Sequence, residues 1–318
     1  MKMAIQPKGI PPQFDSASDF SEGLALVSVE NKYGYIDKTG KVVIKATENM
    51  SALAPFSEGL AIVQIGSAYS CLNPKGDLLE DIYFDRISKF SEGVAAVKVG
   101  SQYGYINKSG KVVITPQFVL ADRFSEKLAA VKVNDKYGYI DPTGMMAIAP
   151  QYEDAWKFSE GFAPVRVGKR WGYLSKSKAV NIQPIYDGAF DFSGSLARVR
   201  MGDRWGYINH QGSPVIALQF SFASDFFQGL ATVQLNQKWG YINATGKIVI
   251  PPKFEIAANF SQGLAAVQID GKWGYINPDG TLVVKSKFDN AGLFSEGLAR
   301  VQIDDKWGYI SRTDILEG

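Results

Sequence analysis

The sequence predicts an all-β protein of nine tandem units of about 34 residues. Three observations carry this. An aromatic–glycine pair recurs at a fixed spacing along nearly the whole chain. Each copy reads as strand, tight turn, strand, as in Phe260 to Asn277, FSQGLAAVQIDGKWGYIN. The two chain ends are complementary pieces of one copy.

The aromatic–glycine pair stands at Tyr33-Gly34, Tyr103-Gly104, Tyr137-Gly138, Trp171-Gly172, Trp205-Gly206, Trp239-Gly240, Trp273-Gly274 and Trp307-Gly308, with Tyr69-Ser70 a worn copy. The spacing is 36 once and 34 afterwards. Each copy opens on a Phe, at Phe20, Phe56, Phe90, Phe124, Phe158, Phe192, Phe226, Phe260 and Phe294. Ala follows each Phe by five residues and Val by seven, in all nine copies.

Within a copy, segments such as Leu264 to Ile269, Lys272 to Asn277 and Lys247 to Phe254 are short and rich in Val, Ile and aromatics. Bounded by turn residues, they read as strands. The turn between the second and third is Asn/Asp-x-x-Gly, as in Asp141 to Gly144. Asn and Asp bond their own backbone at such corners, and Gly supplies the positive φ. Lys178 replaces that Gly in the fifth copy, which predicts a looser hairpin there. The third segment carries Pro two residues before its aromatic (Pro116-Phe118, Pro150-Tyr152), so it ends there or lies at a sheet edge. The link to the next Phe is too short for a helix and reads as a turn or a fourth short strand.

The motifs KWGYIN, FSxGLAxV and VIxPxF resemble the WG (KWG) repeat family, found mostly in bacteria, over about residues 10 to 312. The resemblance implies a repeat protein of binding or unknown role. It brings no catalytic residues to carry over.

The phase of the ends predicts the architecture. The chain enters the repeat near Ile10, inside a third segment, and stops at Gly318 after a second strand. Together these pieces make one full copy. Pairing them closes the repeats into a toroidal β-propeller-like ring and removes exposed edges. The alternative is an open β-solenoid of stacked hairpins, in which the phase of the ends is arbitrary. Residues 1–9 read as an N-terminal arm, and 10–318 as a single domain of nine units, one shared between the ends.

Net charge is +2, from 34 basic and 32 acidic residues among 318, which gives no bulk field for nucleic acid or an anionic membrane. No stretch approaches the roughly 18 apolar residues of a membrane span. With no signal-peptide run at the start, the chain as given reads as cytoplasmic, or as periplasmic or extracellular if a leader was removed. It reads as a monomer.

Candidate chemistry is sparse. The single histidine, His210, has no second His or nearby Cys with which to build a metal site or a triad, and reads as an exposed turn residue. Cys71 stands where sister copies have Tyr and reads as a buried filler. Glu22, Glu58, Glu92, Glu126, Glu160 and Glu296, with Gln228 and Gln262, recur in a tight turn and read as solvated. The sequence therefore predicts no enzyme, no catalytic residues, no metal and no cofactor. The repeated Trp residues read as core. Trp156 occurs once and replaces nothing, so it is a candidate binding contact.

The residue after the repeated Val points away from whatever Val packs on. In copies three to six it is basic: Lys98, Lys132, Arg166 and Arg200. In a ring these would form a positive arc able to attract an acidic protein segment; alternatively they are ordinary solvated charges. The reading that results is a non-catalytic scaffold that binds another protein through one face or a central channel. A carbohydrate or cell-surface lectin is the alternative.

Overall fold

The structure is a computed structural model describing residues 9–46, 50–79, 83–177 and 180–316. The arm expected over 1–9 lies outside these residues except for Gly9, whose N–H donates to Asp314 Oδ2 at 3.2 Å. Lys178, expected to loosen a hairpin, also lies outside them. The chain is all-β, with one short terminal helix, Arg312–Leu316. Among the described residues there are eight four-stranded sheets and one three-stranded sheet; all run in sequence order except one, which joins the first strand of the chain to the last three. The contacts gather into two compact units. One is Met1–Leu78, Lys238–Gly240 and Val249–Gly318; the other is Leu79–Gln237 and Tyr241–Ile248.

Copy four, in the second unit, shows how a copy is built. Its strands are Leu120–Ala121, Ala129–Val133, Lys136–Ile140 and Met146–Tyr152, each antiparallel to the next. The link before Phe is thus a fourth, two-residue strand. The segment with Pro150 runs through the proline as the outermost strand, where a missing N–H costs no ladder bond. Its ladder to Lys136–Ile140 is irregular on both sides of Tyr139. Gly138 permits this close approach, since a Cβ there would stand 2.5 Å from Ile148 O and 2.8 Å from Pro150 N. That is the physical reason for the glycine in the aromatic–glycine pair.

The aromatic before this glycine is only half-buried. The Tyr after it is the core residue: Tyr105, Tyr139, Tyr173 and Tyr207 are all buried. Each ring packs on the Phe of the next copy (Tyr139 on Phe158, centroids 4.9 Å apart). Each phenol donates to a carbonyl of the next copy, as Tyr139 Oη does to Trp156 O at 2.7 Å. Burial pushes the Tyr139 phenol well above its ordinary range. A buried hydroxyl must be paired, so this bond fixes where one copy sits on the next. The Ser of the tight turn adds a second bond, from Ser125 Oγ to Phe158 O at 2.7 Å.

In the first unit the same bonds join copies nine and one. Tyr309 Oη donates to Ser18 O at 2.7 Å, and Ser295 Oγ to Phe20 O at 2.7 Å. The split ninth copy is completed as the phase of its ends predicts. Ile10–Phe14 forms the outer strand against Lys306–Ser311, with Ile10 opposite Tyr309 and Phe14 opposite Trp307. Arg300 adds a further clasp to copy one, with its Nη1 donating to Ala17 O at 2.9 Å and its Nε 3.0 Å from Asp19 Oδ1.

Copy two is the worn one. Its sheet holds three strands, Met50–Leu53, Ala61–Ile65 and Ala68–Leu72. Cys71 is buried in the place of the core Tyr, and burial pushes its thiol up to about 12. A thiol in that position carries no phenol to bond a neighbouring carbonyl.

The turn glutamates are not simply solvated, contrary to expectation. Glu126 sits at φ 54° and its carboxylate accepts the N–H of Gly161 in the next copy at 3.1 Å. Glu92 to Lys127, Glu160 to Ser195, Glu22 to Gly59 and Glu296 to Gly23 repeat the clasp. A cation from the turn after the next copy's aromatic–glycine strand joins two of them: Lys176 reaches Glu126 at 2.8 Å and Lys38 reaches Glu296 at 2.9 Å. His210 holds the same place, 3.1 Å from Glu160 and stacked on Phe162, so it is half-buried rather than an exposed turn residue. The sequence places these residues far apart, and only the copy-to-copy register brings them together.

This clasp predicts a pH dependence. Partial burial pushes the Glu296 carboxyl up, but the hydrogen bond and charge of Lys38 and the Gly23 N–H outweigh it and hold it below its ordinary range. A carboxylate lowered in this way adds stability above the ordinary value of roughly 4.3 and loses it as pH falls through its folded value. Thermal melts from pH 6 to pH 3 should fall more steeply for the natural chain than for Glu296→Gln, by on the order of 2 °C. Parallel curves would show that the clasp contributes nothing.

Candidate functional site

The four basic residues of the second unit lie on the hairpins of copies three to six, each directly across from the aromatic of its own copy: Lys98 from Tyr103, Lys132 from Tyr137, Arg166 from Trp171 and Arg200 from Trp205. The repeated Val beside each is buried, and the basic side chain is half-buried on the opposite face. Cross-strand neighbours of this kind touch. Lys98 Nζ is 5.9 Å from the Tyr103 ring centre, Lys132 Nζ 5.6 Å from Tyr137, the Arg166 guanidinium 5.9 Å from Trp171 and that of Arg200 6.0 Å from Trp205. The positive charges are thus held against ring faces by cation–π attraction.

The two arginines also donate to carbonyls within their own chain. Arg166 bonds Gly168 O and Glu153 O, each at 3.4 Å, and lies 3.8 Å from Asp154. Arg200 bonds Gly202 O at 2.8 Å and Asp187 O at 3.4 Å. Lys98 and Lys132 have no carboxylate partner among the described residues.

Trp156 enters the site through the rings. Its indole stands edge-on to Trp171, centroids 5.6 Å apart, and to Phe190, 5.3 Å apart. Phe190 touches Trp205 at 5.3 Å, and Trp205 touches Phe222 at 5.3 Å. One chain of contacts therefore runs Trp171, Trp156, Phe190, Trp205, Phe222, with Arg166 over Trp171 and Arg200 over Trp205. Among the described residues, no ring contact brings Lys98 or Lys132 into this cluster.

Trp156 does not stand alone in the repeat, contrary to expectation. It occupies the same column as Phe190, two residues before the Phe of its copy, and its backbone carbonyl is the acceptor for Tyr139. Sister copies place Asp122, Ser224 and Gly292 there. Aromatics in this column in two consecutive copies are the signal that could have been read.

Arg198 is the second residue the sequence reading missed. Its column holds Ala96, Ala130, Pro164, Thr232 and Ala266 in sister copies. Its Nε pairs with Asp225 Oδ1 at 2.6 Å and its Nη1 donates to Ala223 O at 2.9 Å. The guanidinium is 3.9 Å from the Phe190 ring centre and 5.3 Å from that of Trp205. The arginine thus pins two rings of the cluster to the next copy. Trp156 remains 36% exposed and Phe222 38% exposed. The result is a rigid, arginine-backed aromatic face with two rings open to water.

This geometry defines a tandem β-repeat protein with a built apolar–cationic patch. The chain belongs to the family of WG containing repeats, whose model matches nine times in succession over residues 9–33, 33–67, 69–103, 103–137, 137–171, 171–205, 205–239, 239–273 and 273–307. No curated protein matches it. Its fold is similar to a crystal structure of the eukaryotic initiation factor, with a TM-score of 0.67 and 10% identity over 98% of this chain and 92% of that one. Apo AztD from Citrobacter koseri is a more distant likeness, with a TM-score of 0.46 and 12% identity over 88% and 94% of the two chains.

Proposed function

We propose that the protein is a non-catalytic binding scaffold that engages another protein through the aromatic face of its second unit. The observation that carries this reading is the exposed pair Trp156 and Phe222 on an arginine-backed chain of rings. Interface hot spots are rich in Trp, Tyr and Arg, and a contact made by side chains already held in place loses little entropy on binding. Here the rings are fixed by their neighbours before any partner arrives. An acidic segment on the partner suits Lys98 and Lys132, the two members of the basic row without a carboxylate of their own.

A glycan would need an open indole face for stacking. Guanidinium groups lie over one face of Trp171, Trp205 and Trp307, which favours the protein reading.

Affinity capture from host lysate with the natural chain and with the double variant Trp156→Ala/Phe222→Ser tests this. One specific protein should be retained by the natural chain and weakened about tenfold or more in the variant, a loss of hot-spot size. Circular dichroism checks that the variant is folded. Equal retention by both chains, or no protein retained above an unrelated control, would remove the proposal.

A further inference from the structure

Copy four, in the second unit, breaks the turn pattern at two places. Its tight turn reads Ser125-Glu126-Lys127, where seven sister copies end the turn on Gly. Copy six has the small Ser195 there, and copy four alone has a charged side chain. Lys127 keeps the glycine backbone, at φ 66°, as Gly161 does at φ 82°. A residue with a Cβ is strained in that conformation, and strain held under a long cationic side chain points to a use for it. The second place is the turn after the aromatic–glycine strand. Pro142 stands there, in the column that holds Lys38, Lys176 and His210 in sister copies. Those three supply the cation of the glutamate clasp.

Pro142 can supply no cation. Glu92 of copy three accepts the Lys127 N–H at 3.0 Å and has no cation partner among the described residues. Accepting that N–H does not require a charge, since Gln262 accepts the matching N–H of Gly297 at 2.9 Å. Where Pro278 fills the turn column, the preceding copy carries the uncharged Gln228. Copy three keeps the charge without the cation. Glu22 and Pro74 repeat that combination, but the N–H that Glu22 accepts belongs to Gly59, which brings no second charge. The Lys127 ammonium is exposed and has no carboxylate partner among the described residues. Both groups line an open recess of about 770 Å³, together with Glu126, Pro142 and Lys176. Glu126 and Lys176 pair with each other at 2.8 Å, which leaves Glu92 and Lys127 to take a ligand.

We propose that this recess binds a small zwitterion carrying an ammonium and a carboxylate: a free α-amino acid, or a short peptide with both ends free. The ligand's ammonium takes the place of the missing turn cation on Glu92, as Lys176 does on Glu126. Its carboxylate pairs with Lys127. Its body rests on the Pro142 ring and the aliphatic stem of Lys176. Charge-assisted bonds of both signs favour a ligand that carries both charges, because a ligand with one charge meets only one of the two groups. The recess shares no residue with the Trp156 face, so either reading can fail alone.

Saturation-transfer NMR on the full chain tests this, with L-alanine and trialanine as probes. At least one should give a saturable signal: L-alanine if the ligand is a free amino acid, trialanine alone if it is a peptide. Acetylating the amine or amidating the carboxylate of the bound probe should weaken binding about fivefold or more. Three variants with precedent in sister copies should weaken it equally. Glu92→Gln keeps the N–H acceptor, as Gln262 does. Pro142→Lys fills the site with a cation from the chain itself, as Lys176 does. Lys127→Gly removes the second charge and should also raise the melting temperature by roughly 2 °C as the strain is released. A variant that melts higher and binds less has not lost binding by unfolding. No saturable signal from either probe would overturn the proposal, as would binding unmoved by Glu92→Gln and Lys127→Gly. Equal binding of the amidated probe would leave a cation site alone and overturn the zwitterion assignment.

Discussion

Deleting residues 1–14 should abolish cooperative folding of the first unit. The deletion removes Ile10 and Phe14, each 4% exposed, and leaves the edge of Lys306–Ser311 open. Ile10 also packs under the turn of copy one, where a Cβ on Gly40 would stand 3.1 Å from its Cγ2. Ile114, Ile182, Ile216 and Ile250 meet Gly144, Gly212, Gly246 and Gly280 in the same way. Losing one buried Phe and one buried Ile costs at least about 5 kcal/mol, comparable to the whole stability of an ordinary domain. The exposed edge then invites aggregation. Thermal melts and sedimentation of the truncated chain would show this as a lost or broadened transition with high-mass species. A truncated chain that stays monomeric and melts with the full-length one would show that the terminal strand is dispensable. The point variants Ile10→Ala and Phe14→Ala should fall between, at about 2–5 kcal/mol each.

Gly138→Ala should destabilise far more than Gly161→Ala, although both replace a repeated glycine in the second unit. At Gly138 the added methyl would meet Ile148 O at 2.5 Å, Pro150 N at 2.8 Å and Ala149 C at 2.9 Å. All three are backbone atoms of the outer strand, so the strand itself must move. The expected cost is about 3 kcal/mol or more. At Gly161 nothing lies within 4 Å, and the cost is only that of φ +82° for a residue with a Cβ, about 1–2 kcal/mol. Denaturant midpoints at matched slopes separate the two. Equal midpoints would mean that the outer strand yields freely and that the close approach does not constrain it.

The fold was legible because its signal is periodic. Nine copies of one pattern fix strand, turn and edge positions even where single residues are ambiguous. Pro150 announced its edge strand, and Gly138 its close approach. The ends announced their shared sheet through their phase. What stayed illegible depends on register between copies. Nothing in a Ser-Glu-Gly turn says that Glu126 will reach the N–H of Gly161, because that contact is set by how far one sheet is rotated on the next. Trp156 looked solitary until its column was aligned with Phe190.

The ninth sheet has a consequence in time. Its outer strand, Ile10–Phe14, is synthesised about 290 residues ahead of its partner, Lys306–Ser311. At roughly 5–20 residues per second, the first strand exists for some 15–60 s before its place is made. During that interval it is an apolar segment with no sheet to join. Pro11 and Pro12 sit in its middle, and neither can donate an N–H to a stray strand. The residues that end up at an outer edge are thus the ones that leave the strand poor at pairing wrongly while it waits for the rest of the chain.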